Sequence, residues 1–293
     1  MSLELVVRCP VCKGTTFRPF LVCIDYTTSG ELFHVEQCTN CSMVLTNPRP
    51  GPEKASSYYQ SKSYISHTSV AKSLFDRIYL IFRHLTLRWK YGLIKPFLNQ
   101  DKLLDVGCGT GHFLSFCKKQ GVDVYGVEPS PNARAKVMDI HVAESLEKLP
   151  DIKFNVITLW HVLEHIYDLE LTFERLKVRL NDNGIIFIAV PNWQSLDAIH
   201  YKENWAAYDV PRHVWHFSKE SMKSLIKNSG LRLIKITPMK LDSYYVSLLS
   251  ERNSANGKMS LSKTIKAIMQ GYQSNLKATT DMNYSSLIYF VQK

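Results

Sequence analysis

The sequence lacks any long uncharged apolar run, and none approaches the roughly 18 residues that a membrane-spanning helix needs. Its N-terminus, MSLELVVRCP, contains no charged segment followed by an apolar core, so we expect no secretory signal peptide. The chain also has no internal repeat and no low-complexity tract. These absences favour a cytoplasmic protein, in which cysteine thiols stay reduced.

Acidic residues are scarce relative to basic ones, with 26 Asp and Glu against 36 Lys and Arg and a net charge of +10. This charge suits an anionic partner such as nucleic acid, an acidic lipid surface or a phosphorylated substrate. A basic soluble protein without such a partner is an equally good interpretation. The 293 residues, 45% of them apolar, are enough for one large domain and a small one.

Four of the seven cysteines form two C-x-x-C pairs, Cys9-Pro-Val-Cys12 and Cys38-Thr-Asn-Cys41. In a reducing compartment this pattern indicates a four-cysteine Zn²⁺ site, because each pair offers two thiolates from one tight turn. Four sulfur ligands leave no open coordination position, so this zinc would be structural. The intervening residues alternate like short strands, and we predict a zinc ribbon over residues 1–50. The remaining cysteines are predicted to pack as small apolar residues: Cys23, Cys108 and Cys117.

Residues 51–98 are predicted to form a linker and a basic amphipathic helix. The prolines and glycine of LTNPRPGPEKASS indicate a connection without regular structure. Apolar residues then recur at helical spacing, among mostly basic charges, at Leu74, Ile78, Ile81, Phe82 and Leu85. We expect this helix to cap the domain that follows; contact with a membrane surface through residues 70–95 is the alternative.

From residue 102 onward, short apolar runs alternate with helical stretches. The runs read KLLDV, VDVYGVE, HVAES, FNVITLW, GIIFIAVP and LRLIKIT. This alternation predicts an α/β fold with a doubly wound, mostly parallel, Rossmann-like sheet over residues 99–293. Residues 240–282 are polar and show no clear pattern, and the terminal SSLIYFVQK is predicted to close the sheet edge.

The most informative stretch lies between a predicted strand and a predicted helix and reads Asp105-Val-Gly107-Cys108-Gly109-Thr-Gly111. Glycines allow a tight turn and a close approach of a ligand to the backbone, and the following helix N-terminus favours an anionic group. Glu128 ends the next strand 21 residues after Gly107, a spacing that suits a carboxylate bound to ribose hydroxyls. His112 stands where a dinucleotide enzyme needs glycine or alanine, which argues against a nicotinamide cofactor.

LLDVGCGTGHFL together with VYGVEPS resembles the class I S-adenosylmethionine-dependent methyltransferases, and the resemblance covers residues 100–237. It implies S-adenosylmethionine as cofactor, with the first motif at its methionine end, Glu128 at its ribose and residues 143–145 beside its adenine. An aromatic face or backbone carbonyls would stabilise the sulfonium. The cofactor-binding residues expected on this basis are Asp105, Gly107, Cys108, Gly109, Gly111, Glu128, Pro129, Ser130, Glu144, Ser145, Leu159 and Trp160.

The stretch His161-Val-Leu-Glu164-His165 matches the H-x-x-E-H spacing of inverted zinc peptidases. Because it directly follows FNVITLW, we instead expect it at the carboxyl end of a parallel strand, where α/β sheets bind ligands. It is also similar to the LEH motif of the ubiquinone-biosynthesis-like and sugar-modifying branches of the family. His161 and His165 are each a candidate cofactor contact, general base or structural cap. A weaker hypothesis is that they hold a divalent metal together with Glu164.

The segment DVPRHVWHFS follows the fifth strand and looks like the P-R-H-x-x-x-F segment of the zinc-ribbon branch. The resemblance places acceptor-binding and catalytic residues there. Removal of a proton from the acceptor suits a histidine with a pKa near neutrality. We expect the general base to be His213, then His165, then His161, with Asp209 also functional, and we expect the tryptophans of this region to pack in the core.

The sequence therefore predicts an S-adenosylmethionine-dependent methyltransferase that acts on a small-molecule, glycan or lipid-linked acceptor by in-line methyl transfer. The alternative is an RNA methyltransferase whose zinc ribbon and basic face bind phosphates. Against that alternative, no N-P-P-Y-type motif and no Pro-Cys pair follow the fourth strand. A non-catalytic cofactor-binding protein and a zinc peptidase are less favoured, and the oligomeric state is left open.

Overall fold

A computed structural model of the protein describes residues 3–59, 85–98 and 102–293. Residues 85–94 are helical, where the end of the basic helix is expected. The other positions on which that helix was predicted, Leu74, Ile78, Ile81 and Phe82, lie outside the described residues. None of the helices in the described ranges is long and apolar enough to cross a membrane. Membrane contact through residues 70–95 stays a prediction.

The secondary structure alternates strands and helices from residue 102 onward, as predicted. The strands are β1 (Leu3–Glu4), β2 (Phe17–Ile24), β3 (Leu32–Cys38), β4 (Val44–Thr46), β5 (Arg49–Pro50), β6 (Lys102–Val106), β7 (Asp123–Val127), β8 (His141–Ala143), β9 (Phe154–Trp160), β10 (Leu180–Pro191), β11 (Trp215–His216), β12 (Arg232–Pro238) and β13 (Ser286–Gln292). The α-helices are α1 (Pro52–Ala55), α2 (85–94), α3 (His112–Lys119), α4 (Pro131–Arg134), α5 (Leu169–Arg179), α6 (Leu196–Tyr201), α7 (Lys219–Asn228), α8 (Asp242–Ser254) and α9 (Leu261–Asp281).

The larger sheet has its seven strands in the order β12-β13-β10-β9-β6-β7-β8. Its central strands β6 and β9 are parallel and apolar on both faces, with Leu103, Leu104, Val156 and Ile157 fully buried. Such strands are typical of parallel sheets covered by helices on each side, so the predicted mostly parallel α/β sheet is confirmed. Since β6 also runs parallel to β7, the carboxyl ends of these three strands meet at one edge.

The expectation that the terminal strand closes the sheet edge is wrong. Strand β13 lies between β10 and β12, and β12 is at the edge. Burial accounts for the order, because β13 is buried from Ser286 to Val291, whereas β12 carries exposed residues such as Arg232. A continuously apolar strand gains more from a neighbour on each side than a strand with polar residues does.

The smaller sheet has four strands in the order β11-β4-β3-β2. Strands β2 and β3 form an antiparallel hairpin between the two cysteine pairs, where the ribbon strands are predicted. Strand β4 follows the second pair, and its other neighbour is β11, in which Trp215 pairs with Leu45 and His216 with Val44. This fourth strand was not predicted, because it has only two residues and lies far from the ribbon along the chain.

Helices α8 and α9 occupy the segment 240–282, which shows no clear pattern in the sequence. They contact each other closely at Gly271, where an added β-carbon would lie 2.9 Å from Tyr244 Cα and 3.0 Å from Ser243 O. By contrast, the helical stretch predicted between VDVYGVE and HVAES is limited to the four residues of α4.

The chain divides into two compact units, each assembled from separate segments of the sequence. Among the described residues, the first unit contains 3–59, 163–170 and 189–289, and the second contains 85–98, 102–162, 171–188 and 290–293. The sequence suggests continuous segments instead, with boundaries at 1–50, 51–98 and 99–293, and those domain boundaries stay a prediction.

Candidate cofactor site and histidine cluster

The glycine loop between β6 and α3, in the second unit, uses its three glycines for two different purposes. All three have positive φ angles, +68° at Gly107, +55° at Gly109 and +73° at Gly111. A β-carbon on Gly107 would lie 2.5 Å from Val162 Cγ2, and one on Gly111 would lie 2.9 Å from Val137. Nothing lies within 4 Å of a β-carbon added to Gly109. The outer glycines therefore permit close packing, and the middle glycine leaves the loop backbone open to a ligand.

Glu128, at the end of β7, points its carboxylate at this loop. Its Oε2 accepts a hydrogen bond from the backbone N–H of Gly109 at 2.9 Å, and its Oε1 accepts one from the N–H of Ser130 at 2.8 Å. Arg134 donates to the carbonyl oxygens of both Glu128 and Pro129 at 2.6 and 2.7 Å. These contacts fix the carboxylate, and each oxygen keeps a lone pair for a further donor such as a ribose hydroxyl.

Asp105, the last acid before the loop, is buried in the sheet. It is 3% exposed, and the hydroxyl of Thr158 donates to its Oδ1 at 2.6 Å. Burial raises the pKa of Asp105 to about 7, although the Thr158 hydrogen bond and the positive charge of Lys90 act in the opposite direction. A cation placed beside this carboxyl would favour its ionised form, so the group is suited to a ligand ammonium.

Trp160, the last residue of β9, presents its ring to cationic and aromatic neighbours. The ammonium of Lys90 lies 4.6 Å from the ring centroid, and the ring of Phe113 meets it edge-on at 5.7 Å. The indole Nε1 is buried and has no hydrogen-bond partner in the part of the chain that the structure describes. The ring thus lies in a setting that stabilises positive charge. Its neighbour Leu159 is fully buried.

The residues predicted beside the adenine are less enclosed. Glu144 is about half exposed, and its carboxylate lies 3.9 Å from both Arg134 and Lys148. Ser145 precedes the short 3-10 turn Leu146–Lys148. Ala143 is buried, and its carbonyl accepts the N–H of Glu128 at 2.9 Å. These contacts connect the end of β8 to Glu128.

The four paired cysteines come together in the first unit. Their Sγ atoms all lie within 4.8 Å of one another, with 3.5 Å between Cys9 and Cys41 and between Cys12 and Cys38. An ideal tetrahedron of zinc–sulfur bonds places its sulfurs about 3.8 Å apart. Burial raises the pKa of Cys9 to about 11, so this thiol needs a cation beside it to lose its proton at neutral pH.

The backbone around the cysteines has the same form in both pairs. Lys13 and Ser42, each directly after the second cysteine of a pair, have φ angles of +62° and +59°. Their N–H groups donate to the carbonyls of Cys9 and Cys38, the first cysteine of each pair, at 3.0 Å. Two equivalent turns that aim their sulfurs at one point fit a structural zinc site.

Two of the predicted catalytic histidines also meet in the first unit. The rings of His165 and His213 have centroids 4.5 Å apart, and the hydroxyl of Tyr59 lies 3.0 Å from His165 Nδ1. Glu164 is 1% exposed, and ligand atoms of Glu164, His165 and His213 lie within 4.8 Å of one another. Among the described residues, the glutamate–histidine group that could hold a metal ion therefore contains His213 and not His161. The weaker metal hypothesis is wrong in its choice of His161.

Backbone carbonyls determine the tautomers of these two rings. His165 Nδ1 lies 3.0 Å from the carbonyl of Arg212, and His213 Nδ1 lies 2.8 Å from that of Ala207. Because a carbonyl only accepts, each Nδ1 carries the proton and each Nε2 bears the lone pair in the neutral ring. Burial, followed by the charge of His213, lowers the pKa of His165 to about 4. His165 is thus neutral at physiological pH.

Asp209 belongs to a buried ion-pair network centred on Arg212. The fully buried guanidinium of Arg212 donates to Asp209 at 2.6 and 2.9 Å and to Asp25, in the ribbon hairpin, at 2.9 Å. Burial alone would raise the pKa of both carboxyls, but the hydrogen bonds and charge of Arg212 outweigh it and lower them. The backbone carbonyl of Asp209 accepts the N–H of His213 at 3.1 Å, so Asp209 supports His213 through the main chain.

His161 and the HVLEH motif follow β9 directly, as predicted. His161 has a left-handed φ of +57°, and Leu163–His165 form a 3-10 turn. A peptidase motif would need both histidines on one face of a continuous helix. The structure does not have that helix, and His161 lies in the second unit whereas His165 lies in the first. The three tryptophans of the following loop behave differently from one another: Trp205 and Trp215 are buried, and Trp193 is partly buried.

Comparison with known families identifies the chain's family. The model of a family described as "Methyltransferase domain" matches residues 76–236, more than half of the sequence. The chain belongs to this methyltransferase family. The resemblance to class I S-adenosylmethionine-dependent methyltransferases, expected from the glycine loop and Glu128, is thereby confirmed.

The relatives of this methyltransferase domain act on different kinds of molecule. The chain is 26% identical over 151 residues to a ubiquinone biosynthesis O-methyltransferase of Bartonella bacilliformis, a match covering 45% of this chain and 60% of the relative. It is 25% identical over 166 residues to a tRNA U34 carboxymethyltransferase of Campylobacter jejuni, covering 52% and 57%. A crystal structure of a SAM dependent methyltransferase from Archaeoglobus fulgidus has 22% identity, covers 73% of this chain and 99% of that one, and superposes with a TM-score of 0.48. The chain spans about half the length of the curated relatives it matches.

Three supporting residues of the methyltransferase domain were missed in the sequence. Thr158 lies in register with Asp105 on the neighbouring strand, Arg134 holds the backbone after β7, and Val162 fills the space against Gly107. Thr158 was recognisable as a polar residue within an apolar strand. Arg134 and Val162 gave no signal, because their roles depend on tertiary contacts that are not visible in the sequence.

Proposed function

We propose that the protein is an S-adenosylmethionine-dependent methyltransferase whose acceptor is a small molecule, a glycan or a lipid-linked compound. The observation that carries the proposal is the loop backbone left open at Gly109, with the fixed carboxylate of Glu128 beside it. A nucleoside ligand needs a ribose acceptor and an unobstructed backbone at such a loop. When bound, S-adenosylmethionine supplies an electrophilic methyl group.

Each cofactor-side residue has a specific role in this proposal. Glu128, held by the N–H groups of Gly109 and Ser130, accepts the ribose hydroxyls. Asp105 favours the ammonium of the methionine portion, since a cation offsets the cost of ionising a buried carboxyl. Trp160 provides an aromatic face for the sulfonium, and Lys90 shows that a cation can lie over it.

Calorimetric titration with S-adenosylhomocysteine tests the cofactor half of the proposal. Glu128→Ala removes two charge-assisted hydrogen bonds to the ribose and should weaken binding by about 30-fold or more. Glu147→Ala is the matched control, because Glu147 is an exposed acid that pairs with Arg175. The proposal would be overturned if the wild-type protein did not bind S-adenosylhomocysteine, or if Glu128→Ala bound it as tightly as the wild type does.

The acceptor half of the proposal rests on the histidine cluster. His213 is the preferred general base because the Ala207 carbonyl leaves its Nε2 lone pair for an acceptor proton. His165 is next, since it is neutral and has the same tautomer, and His161 is third. Asp209 positions this segment through Arg212 and the backbone of His213.

His213→Asn tests the base while keeping a side-chain N–H donor for the Ala207 carbonyl. We expect this variant to bind S-adenosylhomocysteine as the wild type does and to lose methyl transfer to acceptors from extracted lipids and envelope glycans. The control is the same substitution at an exposed histidine of α6, His200→Asn, which should leave transfer unchanged. Undiminished transfer by His213→Asn would remove His213 from the scheme.

An RNA acceptor is the second candidate. It is supported by the similarity to a tRNA U34 carboxymethyltransferase and by the net charge of +10. Electrostatic binding of RNA weakens steeply as salt rises. Retention of tRNA by the protein at low salt, lost at high salt and accompanied by methyl incorporation, would favour this candidate over the first. Absence of retention at low salt would exclude it.

We also infer that Cys9, Cys12, Cys38 and Cys41 hold a structural zinc ion. The support is their mutual distance and the two equivalent turns that present them. With four sulfur ligands the ion has no position for a substrate, so its contribution is to the stability of the ribbon and of the strands paired with it.

A further inference from the structure

Helix α9 carries a row of large apolar side chains that face away from the rest of the first unit. Their relative exposures range from 46% at Ile268 to 78% at Leu261, and their spacing of three and four residues puts them on one face of the helix. The row consists of Leu261, Ile265, Ile268, Met269, Tyr272 and Leu276. A contiguous exposed apolar surface of this kind marks an interaction site.

The inner face of α9 is lined by small residues, and these fix the direction of the apolar row. Ala267, Gly271, Ser274 and Ala278 are buried on that face. The tight contact of Gly271 with the start of α8 leaves no room for even a methyl group without displacing backbone. The helix therefore cannot rotate to bury its large side chains, and these remain at the surface.

The beginning of α8 extends the apolar surface. Leu241 and Tyr245 are 47% and 58% exposed. Asn275, on α9, donates through its side-chain amide to the carbonyl of Lys240 at 2.9 Å, which places the start of α8 beside the C-terminal half of the row. The two helices thus present one continuous surface, here called the α8–α9 face.

Basic residues predominate in the segment that carries the α8–α9 face. The segment 240–282 contains six basic residues and three acidic ones. Two of the acids are already paired within it, Glu251 with Lys266 at 3.3 Å and Asp281 with Lys277 at 3.7 Å. The remaining basic residues of the segment are Lys240, Arg252, Lys258 and Lys263. Two copies of this face would bring like charges together, whereas an anionic surface would complement them.

We propose that the α8–α9 face binds the surface of an anionic phospholipid bilayer. A helix with a large apolar face and flanking lysines lies in the plane of the interface, with its apolar side chains among the headgroups and upper acyl chains. The 21 residues of α9 span about 30 Å. In this proposal α9 lies along the bilayer surface and does not cross it. The proposal does not depend on the identity of the methyl acceptor.

Vesicle co-sedimentation of the full chain tests this proposal. The protein should bind vesicles of phosphatidylcholine and phosphatidylglycerol at low salt, and bind pure phosphatidylcholine vesicles much less. The triple variant Ile265→Ser, Met269→Ser, Leu276→Ser should reduce partitioning by at least about tenfold, because three apolar side chains no longer enter the bilayer. The matched control is a triple variant of residues at least as exposed and in other elements, Leu32→Ser, Met138→Ser, Val178→Ser, which should bind as the wild type does.

Charge variants give an independent check. Lys240→Gln with Lys258→Gln should lower binding to the anionic vesicles several-fold while leaving the thermal melting curve unchanged, because both side chains are exposed. The proposal is wrong if the wild type does not sediment with anionic vesicles or if the apolar variant binds as well as the wild type. It is also wrong if light scattering shows a dimer that the apolar variant separates, since a second copy would then cover this face.

Discussion

The glycine loop and the histidine cluster are both candidate binding elements, but they are made of different groups. At the loop, the ligand-facing surface is mostly backbone: the N–H groups around Gly109 and the space that a side chain would fill. At the cluster, the surface is made of side chains whose positions depend on distant partners, such as the pair of Arg212 with Asp25, 187 residues apart. The comparison indicates that the two elements should respond to different kinds of mutation.

Loss of the proposed zinc site should have the largest effect, and it should fall on the side of the histidine cluster. Strand β11 pairs with β4 of the ribbon, so Cys38→Ser or chelation should disorder the segment around His213. Zinc-binding free energies of order 10 kcal/mol contribute directly to folding in small zinc domains. Metal analysis and thermal melting measure the effect.

The control for the zinc prediction is Cys23→Ala. Cys23 is buried in the ribbon hairpin, outside the four-cysteine set, so this variant should retain zinc and lose little stability. Full zinc content in the Cys38→Ser variant would contradict the assignment of the site.

Arg212→Met should have the next largest effect. It leaves Asp25 and Asp209 without their cation in a buried network, which costs about 3–5 kcal/mol of unfolding free energy. Urea denaturation measures this loss. Lys223→Met is the control, because its partner Glu220 is exposed and a surface pair contributes less than about 1 kcal/mol. Equal losses in the two variants would show that the network is not structurally important.

Two glycine substitutions sharpen the comparison within the loop itself. Gly107→Ala combines a left-handed φ with a 2.5 Å contact to Val162 and should cost about 2–4 kcal/mol of stability. Gly109→Ala meets no neighbour and should cost only about 1 kcal/mol, with its main effect on S-adenosylhomocysteine affinity. Denaturation and calorimetry on both variants test the distinction. Loss of affinity without loss of stability in Gly107→Ala would reverse the roles given to the two glycines.

The last effect is confined to acid pH and concerns His216. Burial, followed by the charge of His213, lowers the pKa of His216 to about 3 from its ordinary 6.5. The folded state then holds fewer protons than the unfolded state below pH 6.5, so stability falls as the pH drops towards 3. At about pH 5 this loss is about 2 kcal/mol. His216→Gln keeps a donor for Thr46 and should remove that part of the pH dependence, as measured by urea denaturation at neutral and acid pH.

The elements that could be predicted from the sequence are those specified by local pattern. The apolar strands, the glycine loop, the two cysteine pairs and the position of HVLEH after β9 all depend on short stretches of chain. Helix α9 was missed because it inverts the usual pattern, with small residues such as Gly271 buried and large residues such as Leu261 exposed. The spacing of the large apolar residues in α9 therefore does not mark its buried face.

The side-chain site was predicted only as a set of residue types. His213, His165 and Asp209 were each identified from the sequence, but the contact between the two rings joins segments 48 residues apart and follows from the tertiary structure alone. The Tyr59 hydroxyl beside His165 gave no local signal for the same reason. Whether these residues act in catalysis stays a prediction.

The pairing of β11 with β4 has a consequence for how the chain matures on the ribosome. Strands β2 to β4 of the ribbon are synthesised early, whereas the fourth strand of their sheet, β11, is synthesised much later. Thr46 can contact His216 only after a further 170 residues have been made. Until then, one edge of the nascent ribbon exposes unpaired backbone groups, which invite pairing with other chains. Folding of the ribbon sheet is thus completed only after the chain as far as His216 has left the exit tunnel.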